Sequence, residues 1–394
     1  MIFFEDEGHR HFYPLTITRP MDDLRLGILK VHEKWLHYLQ ETTFSRKLRP
    51  LLEPVFENPV SADGGDDLWI NGRFVPDEGV ALPIRELHPG QGLMHGNVPV
   101  AVRLSGQAGS AWTGQGPDFS GVSFKPLNAG FLLTRIWELF QRNGLEIEKD
   151  FALLNRAVPS RQTNTEHSIV VNPEKVHFGE EVQVHAGVVI DASQGGIHIG
   201  SGVTVMSGSV IRGPAAIGNG SIVKMGAKIY PETTIGPVCK VGGEIKCVII
   251  QGYSNKAHEG FLGNSLIGEW CNIGADSNTS NLKNNYKLVY LKNWETGEPY
   301  DVGIDHCGTI MADHGKTGIN SMLSTGTMCG VACNLFTNKF TPRLIPSFTW
   351  ISDDGTVVHR FDKAMETARI MMGRRKILLS DEYYNMMQSI FDNR

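Results

Sequence analysis

One histidine stands in a stretch of small and amide-bearing side chains. The segment YSNKAHEGFLGNSLIGEWCNIGADSN, residues 253–278, contains a single imidazole, that of His258. Histidine is the side chain best suited to take a proton from an incoming amine near neutral pH. The alternative is a solvent-exposed histidine with no chemical role, and the position of His258 alone does not decide between the two.

A second histidine competes for the role of base. The segment MADHGKTGINS holds Asp313, His314 and Lys316 close together, and a histidine beside a carboxylate can be an oriented base. Adjacent residues of an extended strand point to opposite faces, so Asp313 does not readily orient His314. Three further histidines have no supporting groups and are expected on the surface: His177, His185 and His198.

A step of six residues predicts the element that carries these side chains. The step fits neither the 3.6-residue period of a helix nor the two-residue period of a strand. It is typical of the hexapeptide repeat of a parallel β-helix, where each short strand contributes one inward β-branched residue per face. The successive β-branched positions are Ile199, Val205, Ile211, Ile217, Val223, Ile229, Ile235 and Val241.

Shorter runs extend the repeat and show where it breaks. The same step joins Val176, Val182 and Val188, then Ile267 with Ile273, and Ile304 with Ile310. The repeat breaks at 189–196 and between about 280 and 301. Breaks of this kind are usually loops that protrude from one edge of a solenoid and often form binding sites.

The first 150 residues follow a different pattern. DLWING and VPVAVRL predict short buried strands, and GFLLTRIWELFQRNG predicts an amphipathic helix that ends at Gly144. Strands mixed with helices favour an α/β domain. After the repeat, FDKAMETARIMMGRR predicts one helix and the N-cap-like Ser380 predicts the start of another. We therefore expect an α/β domain at 1–150, a polar linker at 151–166, a β-helix at 167–350 and a helical tail at 351–394.

The composition excludes several classes of protein. The 394 residues carry a net charge of −5, with 41% hydrophobic and 20% charged side chains, as in a globular protein. Nothing in this balance indicates a nucleic-acid partner, and no segment approaches the roughly 18 apolar residues of a membrane span. The acidic start MIFFEDEGHR does not resemble a secretory signal. Six cysteines without a CxxC pair predict reduced thiols in a cytoplasmic protein.

Residues 239–290 resemble the acetyltransferase half of the bifunctional UDP-N-acetylglucosamine pyrophosphorylase / glucosamine-1-phosphate N-acetyltransferase family. That family carries a histidine shortly before a YLGDAEIGDNVNIGAGT-like segment, and this chain has HEGFLGNSLIGEWCNIGADS. The resemblance implies a left-handed β-helix, a homotrimer, acetyl-CoA as co-substrate and an aminosugar-1-phosphate as acceptor. It also implies UTP as a possible further substrate.

The resemblance also implies a role for individual residues. His258 takes the place of the general base, and the segment EIK, similar to the family's EMK, supplies Glu244 as a second catalytic candidate. The implied substrate-binding residues are Lys246, Asn272, Lys228 and Tyr230. The implied acetyl-CoA contacts are Ala275, Asn281 and Lys287. Phe261 and Leu282 stand where the family has tyrosines, and the family's phosphate-binding arginine aligns only roughly, with Lys228 and Tyr230. One phosphate contact and the acceptor sugar therefore stay open.

The N-terminal part carries a second resemblance. FYPLTITRPMDDLRLGILKVHEKW looks like the opening of the sugar-nucleotidyltransferase-like domain of a variant, mainly Bacteroidetes-type, group of two-domain proteins. The usual Gly-rich GxGTRM loop is absent, and INGR with Asn71 stands near the place of the usual metal-binding GD pair. The metal ligands therefore stay unknown, although Mg²⁺ is implied if the domain is active and Asp22 or Asp23 offers a carboxylate. Arg19, Arg25 and Lys34 are read either as phosphate partners or as solvated surface charges.

Three functions are consistent with these patterns. The first is an acetyl-CoA-dependent N-acetyltransferase acting on an aminosugar-1-phosphate, coupled to UDP-sugar formation by the first domain. The second is a sugar-1-phosphate nucleotidyltransferase whose β-helix is mainly a trimerisation scaffold. The third is a non-enzymatic sugar-nucleotide-binding protein, since a fold does not fix a function.

Overall fold

The structure is a computed structural model that describes residues 1–56, 66–105, 112–113, 116–157, 160–161 and 163–394. These residues divide into two compact units. The first unit comprises Met1–Leu24, Leu29–Glu138 and Asp381–Ser389, and the second comprises Arg25–Ile28, Leu139–Ser380 and Ile390–Arg394. The four-part division expected from the sequence stays a prediction.

The first unit is built on a mixed six-stranded sheet. The strand Ile2–Phe4 pairs in parallel with Ser45–Lys47 and with Asp66–Asn71. The predicted strands DLWING and VPVAVRL are confirmed and pair antiparallel. In sheet order the strands are Ser45–Lys47, Ile2–Phe4, Asp66–Asn71, Val98–Ser105, Gln91–His95 and Ser123–Pro126, with a separate pair Phe74–Val75 and Phe131–Leu132.

Short helices complete this unit. The helix Val31–Leu39 begins where Glu33 accepts a hydrogen bond from the backbone N–H of Lys30, and it ends at Gln40 in the left-handed conformation. Its buried face packs Trp35, whose indole N–H donates to the carbonyl oxygen of Phe74 at 2.9 Å. The other helices are Glu53–Phe56 and Ala81–Arg85, with 3₁₀ turns at Glu7–Phe12, Leu15–Ile17 and Met21–Asp23.

The second unit contains the predicted β-helix, a parallel solenoid of about 10 turns from residue 169 on. The pairing of Ile199 with Ile217, and of Ile217 with Ile235, gives a coil of three hexads. All eight β-branched side chains of the predicted repeat are at most 1% exposed and lie in one core. The predicted fold class, an α/β domain followed by a left-handed parallel β-helix with C-terminal helices, is confirmed.

The strands of the solenoid are short, as the hexad requires. In chain order they are Ile169–Val171, Val176–Phe178, Gln183–Val184, Val189–Asp191, Ile197–Ile199, Thr204–Val205, Val210–Arg212, Ala215–Ile217, Ile222–Val223, Lys228–Ile229, Thr233–Ile235, Lys240–Val241, Glu244–Gly252, Asn255–Lys256, Phe261–Glu269, Asn278–Thr279, Thr309–Met311, Lys316–Thr317, Met322–Leu323, Thr327–Cys329, Asn334–Phe336, Leu344–Ile345 and Thr349–Ser352. A final strand, Gly355–Val358, turns back antiparallel on Thr349–Ser352.

One part of the predicted repeat is wrong. Ile267 pairs with Met311, so Met311 and not Ile310 belongs to the inward column, and Ile304 does not lie in the core cluster. The reason is the insertion that precedes this coil, which changes the phase of the repeat. The predicted break at 280–301 is confirmed and contains an antiparallel hairpin of Tyr290–Lys292 and Pro299–Asp301.

The helix predicted to end at Gly144 continues to Ala157 and spans Glu138–Ala157. Gly144 serves close packing rather than termination, because a Cβ there would lie 2.7 Å from Cγ of Glu232. The predicted linker 151–166 is therefore helical over 151–157, and 158–159 and 162 lie outside the described residues.

The two predicted C-terminal helices are confirmed as Phe361–Gly373 and Asp381–Asp392. Met371 and Met372 of the first one pack on Trp270 at a corner of the β-helix. None of the helices in the described part of the chain has the length and apolar content that a membrane crossing requires.

Candidate active site

One outer face of the β-helix brings four predicted residues together. Lys228 pairs with Glu244, and Glu244 pairs with Phe261, on three successive coils. Side chains alternate along each strand, and the isoleucines between them point inward. Lys228 and Tyr230 therefore project from one coil and Glu244 and Lys246 from the next. The result is a polar face with two lysine ammonium groups.

His258 lies in the corner that leads into this face. Its side chain is exposed. The ammonium group of Lys256 donates to the carbonyl oxygen of His258 at 2.6 Å and to that of Glu259 at 3.1 Å. The Glu259 carboxylate in turn lies 3.6 Å from Nζ of Lys228. The corner that carries the histidine is thus linked to the polar face.

Lys256 occupies an inward position of the solenoid, in register with Val241 of the preceding coil. Burial lowers the pKa of its ammonium group to about 8, while the carboxylates of Glu259 and Asp276 act in the opposite direction. Sequence reasoning missed this residue. The step of six does not reach it, because the coil from Val241 to Lys256 is shorter than 18 residues and the register appears only in the fold.

The imidazole of His258 forms no hydrogen bond with another side chain or backbone group among the described residues. Glu244, the second predicted catalytic residue, therefore does not orient the imidazole of His258 through a hydrogen bond, and its catalytic role stays a prediction. An exposed imidazole without a protein partner can reach a substrate amine. No hydrogen bond to the protein determines which of its ring nitrogens carries the proton.

The next coil places Ala275 beside this corner and Asn272 on the adjoining face. The backbone N–H of Asp276 donates to the carbonyl oxygen of Glu259 at 3.0 Å, so the two corners stack directly. Asn272 Oδ1 accepts from Nδ2 of Asn255 at 3.4 Å. Ala275 is therefore next to the candidate base, and Asn272 lies on the face that adjoins the one carrying Lys228 and Lys246.

The other two predicted acetyl-CoA contacts lie further from the corner. Asn281 donates from Nδ2 to Oδ1 of Asn264 at 2.7 Å, at the far end of the polar face. Lys287 is exposed in the insertion, where its backbone N–H donates to Oδ1 of Asn285 at 3.2 Å. The structure does not bring these two residues into contact with His258.

The competing histidine is buried. His314 is 2% exposed, and its ring stacks on Trp270 with centroids 6.3 Å apart. Asp313 accepts a hydrogen bond from the backbone N–H of Glu269 at 2.7 Å. The geometry favours the exposed His258 as the base.

In the first unit the predicted phosphate partners are enclosed rather than exposed. Arg19 and Lys34 are buried, so the reading of these two as solvated surface charges is wrong. Arg25 belongs to the second unit, where its backbone N–H donates to Oε1 of Gln251 at 2.8 Å. The structure does not show these three cations as one site, and their nucleotide role stays a prediction.

The candidate metal ligands are already engaged. Asp22 accepts from Nε of Arg46 at 2.7 Å, and Asp23 accepts from Nζ of Lys30 at 2.8 Å. Burial acts to raise the pKa of Asp23, but Lys30, Arg19 and Arg46 lower it below its ordinary value. Within the described ranges no group of three His, Cys, Asp or Glu residues could hold a metal ion. This arrangement does not fit Mg²⁺, which takes oxygen ligands that are not neutralised by ion pairs.

Asn71, which stands near the place of the usual GD aspartate, ends the strand Asp66–Asn71. Its Nδ2 donates to Oδ2 of Asp6 at 2.8 Å, and Arg73 donates to the same carboxylate at 2.5 and 2.6 Å. Burial acts to raise the pKa of Asp6, but the hydrogen bonds and charge of Arg73 lower it overall. The carboxyl ends of these parallel strands therefore meet in a buried, paired polar cluster.

Comparison with known proteins finds a family model similar to the first part of the chain. Residues 1–158 match the family model described as "Sugar nucleotidyl transferase". The match extends the resemblance seen in the sugar nucleotidyl transferase-like opening segment to the whole first 158 residues.

Curated relatives carry the name "Bifunctional protein GlmU". The relative from Synechococcus sp. (strain RCC307) is 28% identical over 162 residues, covering 39% of this chain and 30% of the relative. The one from Bartonella quintana (strain Toulouse) is 29% identical over 169 residues, covering 41% and 33%. The chain spans about a third of the length of these relatives. The resemblance to the bifunctional family is confirmed.

Two solved structures show weaker likeness. A mutant of GDP-perosamine N-acetyl transferase from Caulobacter crescentus, in complex with CoA and GDP-perosamine, is 13% identical with a TM-score of 0.14, covering 46% of this chain and 58% of its own. A putative acetyltransferase from Bacillus cereus is 12% identical with a TM-score of 0.20, covering 58% and 98%. Scores this low support no conclusion about this chain.

Proposed function

We propose that the β-helix is an acetyl-CoA-dependent N-acetyltransferase that acts on an aminosugar-1-phosphate. The observation that carries the proposal is the exposed His258 in a corner joined to a face with two lysines. Such a face attracts a phosphate, and the corner offers a base beside it. Acetyl-CoA as the donor and glucosamine-1-phosphate as the model acceptor come from the family resemblance.

In the proposed reaction His258 removes a proton from the ammonium group of the acceptor. The neutral amine attacks the thioester carbonyl, and the tetrahedral intermediate collapses as the C–S bond breaks. The nitrogen gives up its second proton and the thiolate of CoA takes up a proton as it leaves. The products are the amide, the free thiol and protonated His258, which returns its proton to solvent. Lys246, with Lys228 and Tyr230, holds the sugar phosphate, while Asn272 holds the sugar and Ala275, Asn281 and Lys287 contact the donor.

A thiol-release assay tests this function. Full-length protein is incubated with acetyl-CoA and glucosamine-1-phosphate, and free CoA thiol is followed over time. We expect His258→Ala to lower kcat by roughly 10²–10⁴-fold, which is the usual contribution of a general base. His185→Ala is the matched control, because His185 is also exposed on the β-helix.

Two results would contradict the assignment. Activity retained in His258→Ala would move the base to His314. A wild-type protein that releases no thiol with any aminosugar phosphate would refute the acetyltransferase itself.

Nucleotidyl transfer by the first 158 residues is a second candidate function. The match of these residues to the sugar nucleotidyl transferase family model favours it. It predicts pyrophosphate release from UTP and a sugar-1-phosphate, with Arg19, Arg25 and Lys34 as phosphate partners. If this activity alone is found, the β-helix is a scaffold. If substrates bind without turnover in either assay, the chain is a sugar-nucleotide-binding protein.

We further propose a cytoplasmic homotrimer. The resemblance to the bifunctional family implies a trimer, and an exposed corner such as that of His258 suits a site shared between protomers. Sedimentation equilibrium at several concentrations tests this assembly. A monomer with full acetyltransferase activity would contradict a shared site.

A further inference from the structure

Positive charge is concentrated at the end of the first C-terminal helix. The helix Phe361–Gly373 buries one side against the rest of the protein. The segment 369–380 contains no carboxylate, although the whole chain has a net charge of −5. Within the same segment the chain has four cations, which are Arg369, Arg374, Arg375 and Lys376.

The charge of these cations is not neutralised by the described residues. None of the four side chains forms an ion pair there, and the two carboxylates earlier in the helix are paired with other cations. Arg375 donates from Nη2 to Oδ1 of Asn255 at 3.1 Å. Arg369, Arg374 and Lys376 are exposed. Three cations therefore face solvent without a counter-charge.

Two apolar side chains protrude beside these cations. Ile370 is 57% exposed, and Leu378 is 90% exposed. The two neighbours of Leu378, which are Ile377 and Leu379, pack against the cluster around Trp270. Leu378 lies between them and points away from that cluster. Burial within the protein therefore does not account for a leucine at this position.

A left-handed turn holds these groups in place. The backbone N–H of Lys376 donates to the carbonyl oxygen of Gly373 at 2.9 Å, and Lys376 has a φ of 59°. A Cβ at Gly373 would meet no atom within 4 Å, so the space above the turn is open. The exposed side chains around the turn form one patch, here called the 369–378 patch, which consists of Arg369, Ile370, Arg374, Lys376 and Leu378.

The helix dipole explains part of this pattern. Cations in the last turn of a helix interact favourably with its free carbonyl groups, which accounts for Arg374 and Arg375. The dipole does not account for Arg369, which lies before the last turn, or for the exposed Leu378. Cations grouped around protruding aliphatic side chains are typical of surfaces that contact an anionic bilayer. There the cations meet lipid phosphates and the apolar groups enter the acyl boundary.

The form of the patch favours a bilayer over a protein partner. A protein interface buries its apolar side chains in a packed central region, whereas Leu378 protrudes singly beside cations. A fluid bilayer accepts a single protruding side chain without a matching pocket.

We propose that the 369–378 patch binds the surface of a membrane that contains anionic lipids. Arg369, Arg374 and Lys376 contact the lipid phosphates, and Leu378 inserts beside them. The contact is peripheral and reversible, because three cations and two aliphatic side chains supply a modest partition free energy. It requires no membrane-spanning helix and does not depend on the proposed acetyl transfer.

Co-sedimentation with vesicles tests this contact. The full chain is mixed with phosphatidylcholine vesicles that either contain or lack phosphatidylglycerol, and the bound protein is measured. We expect binding only to the vesicles with the anionic lipid, and loss of that binding in high salt, because salt screens exposed charges. Wild-type protein that binds neither kind of vesicle, or both kinds equally, would overturn the proposal.

Charge variants locate the contact on the protein. Arg374→Gln and Lys376→Gln are each expected to lower the partition coefficient about fivefold, which is the usual contribution of one cation near an anionic surface. Lys363→Gln is the matched control, because this exposed lysine of the same helix pairs with Glu366 at 2.8 Å. It removes the same charge and should leave binding almost unchanged. Equal losses in all three variants would mean that net charge and not the patch causes the binding.

A leucine variant separates a bilayer from an acidic protein partner. Leu378→Ser is expected to lower the partition coefficient at least about tenfold, through the loss of apolar burial. Leu82→Ser is the control, because Leu82 is 67% exposed and has Glu78 and Glu86 as its charged neighbours in the sequence. In a direct measurement, brominated lipid should quench the fluorescence of Leu378→Trp and not that of Leu82→Trp. Sensitivity to the charge variants without sensitivity to Leu378→Ser would indicate an acidic protein and overturn membrane insertion.

Competition separates lipid phosphates from soluble ones. Acetyl-CoA or inorganic phosphate is added to the vesicle-bound protein, with sodium chloride at equal ionic strength as the control. We expect each to release no more protein than the sodium chloride does. Greater release by either compound would assign the cations to a soluble phosphate ligand and overturn the membrane contact. These measurements involve no turnover, so they decide on the patch even if the chain transfers no acetyl group.

Discussion

At the scale of single residues, the candidate site depends on a lysine that points into the solenoid. Lys256 takes an inward position that a branched aliphatic residue holds in the preceding coil, and its ammonium group reaches the corner carbonyl oxygens of His258 and Glu259. A buried ammonium that ends on carbonyl oxygens fixes the backbone of that corner. We infer that Lys256 positions the histidine without touching a substrate.

Replacement of Lys256 by methionine tests this positioning role. Methionine has a similar length and no donor, so Lys256→Met should loosen the corner and lower kcat for acetyl transfer about tenfold, because small misplacements of a catalytic group are costly. Amide hydrogen exchange at 257–260 should become faster. Lys240→Met is the control, since Lys240 is exposed and lies beside the same strand pair. Unchanged exchange together with unchanged kcat would refute the role.

Two histidines that sequence reasoning placed on the surface are not exposed, since His177 is buried and His198 is half-buried. His177 and His198 pair in register on neighbouring strands, and their rings stack with centroids 4.8 Å apart. Burial lowers the pKa of His198 to about 4, and the positive charges of His177 and Arg25 add to the effect. The sequence could not show this, because the stacking joins two coils and the charge of Arg25 acts on His198 from a segment remote in the chain. His185 is exposed, as expected.

This pair gives the second unit a pH-dependent stability. The folded pKa of about 4 for His198 lies below the unfolded value near 6.5, so the unfolded chain binds the proton first. The free energy of unfolding should therefore fall as the pH drops through 6.5 towards 4, by about 1–2 kcal/mol between pH 7 and pH 5.

Other groups also titrate between pH 7 and pH 5, so the contribution of His198 is measured by comparing wild type with variants. In urea unfolding, the free energy of unfolding of His198→Leu should fall less than that of wild type between pH 7 and pH 5, and the difference should be about 1–2 kcal/mol. His185→Leu, at an exposed position, should keep the wild-type dependence. An identical pH dependence in all three proteins would contradict the assignment.

At the scale of elements, the hexad repeat explains why the β-helix was predictable. Each inward column holds one β-branched side chain per coil, so the sequence shows the column directly, as at Ile199, Ile217 and Ile235. The columns after Val241 were harder to find, because coils of other lengths change the phase and bring Lys256 and Met311 into inward positions. Corner length is set by local backbone geometry, which periodicity does not encode.

A pair of substitutions on one strand tests the column. Ile211 is fully buried, whereas its neighbour Val210 is 39% exposed. Ile211→Ala should lower the free energy of unfolding by about 2–4 kcal/mol through lost burial and a cavity. Val210→Ala should change it by less than about 0.5 kcal/mol. Equal effects in urea unfolding would mean that the two side chains do not point to opposite faces.

At the scale of the whole molecule, the sequence located the corner and the polar face but not the way they are linked. His258, Glu244 and Lys246 follow from motif resemblance, while the inward register of Lys256 with Val241 and the contact of Arg343 with the Tyr290 ring exist only once the coils are stacked. Contacts between residues on different coils have no local sequence signal. The first unit was harder still, because its ion pairs such as Asp22–Arg46 join distant segments.

The burial of the cysteine side chains affects how the proposed CoA thiol-release assay is read. All six are free and buried, which agrees with the expectation of reduced, small core side chains. Burial raises the pKa of Cys239, Cys271 and Cys307 to about 12. A thiol that is both buried and protonated reacts slowly with a disulfide reagent. The folded protein should therefore contribute almost no signal when released CoA thiol is measured.

Thiol titration of the protein alone checks this. With Ellman's reagent at pH 8 the native chain should react with less than about one equivalent in the first minutes, and slow further reaction should follow the unfolding rate. In denaturant all six thiols should react at once. Cys247 is the informative position, because it is 8% exposed and its Sγ donates to Oε2 of Glu232 at 3.1 Å. If several thiols react rapidly in the native protein while a Cys247→Ser variant reacts just as fast, the close packing of the inward columns around Cys239 and Cys271 is wrong.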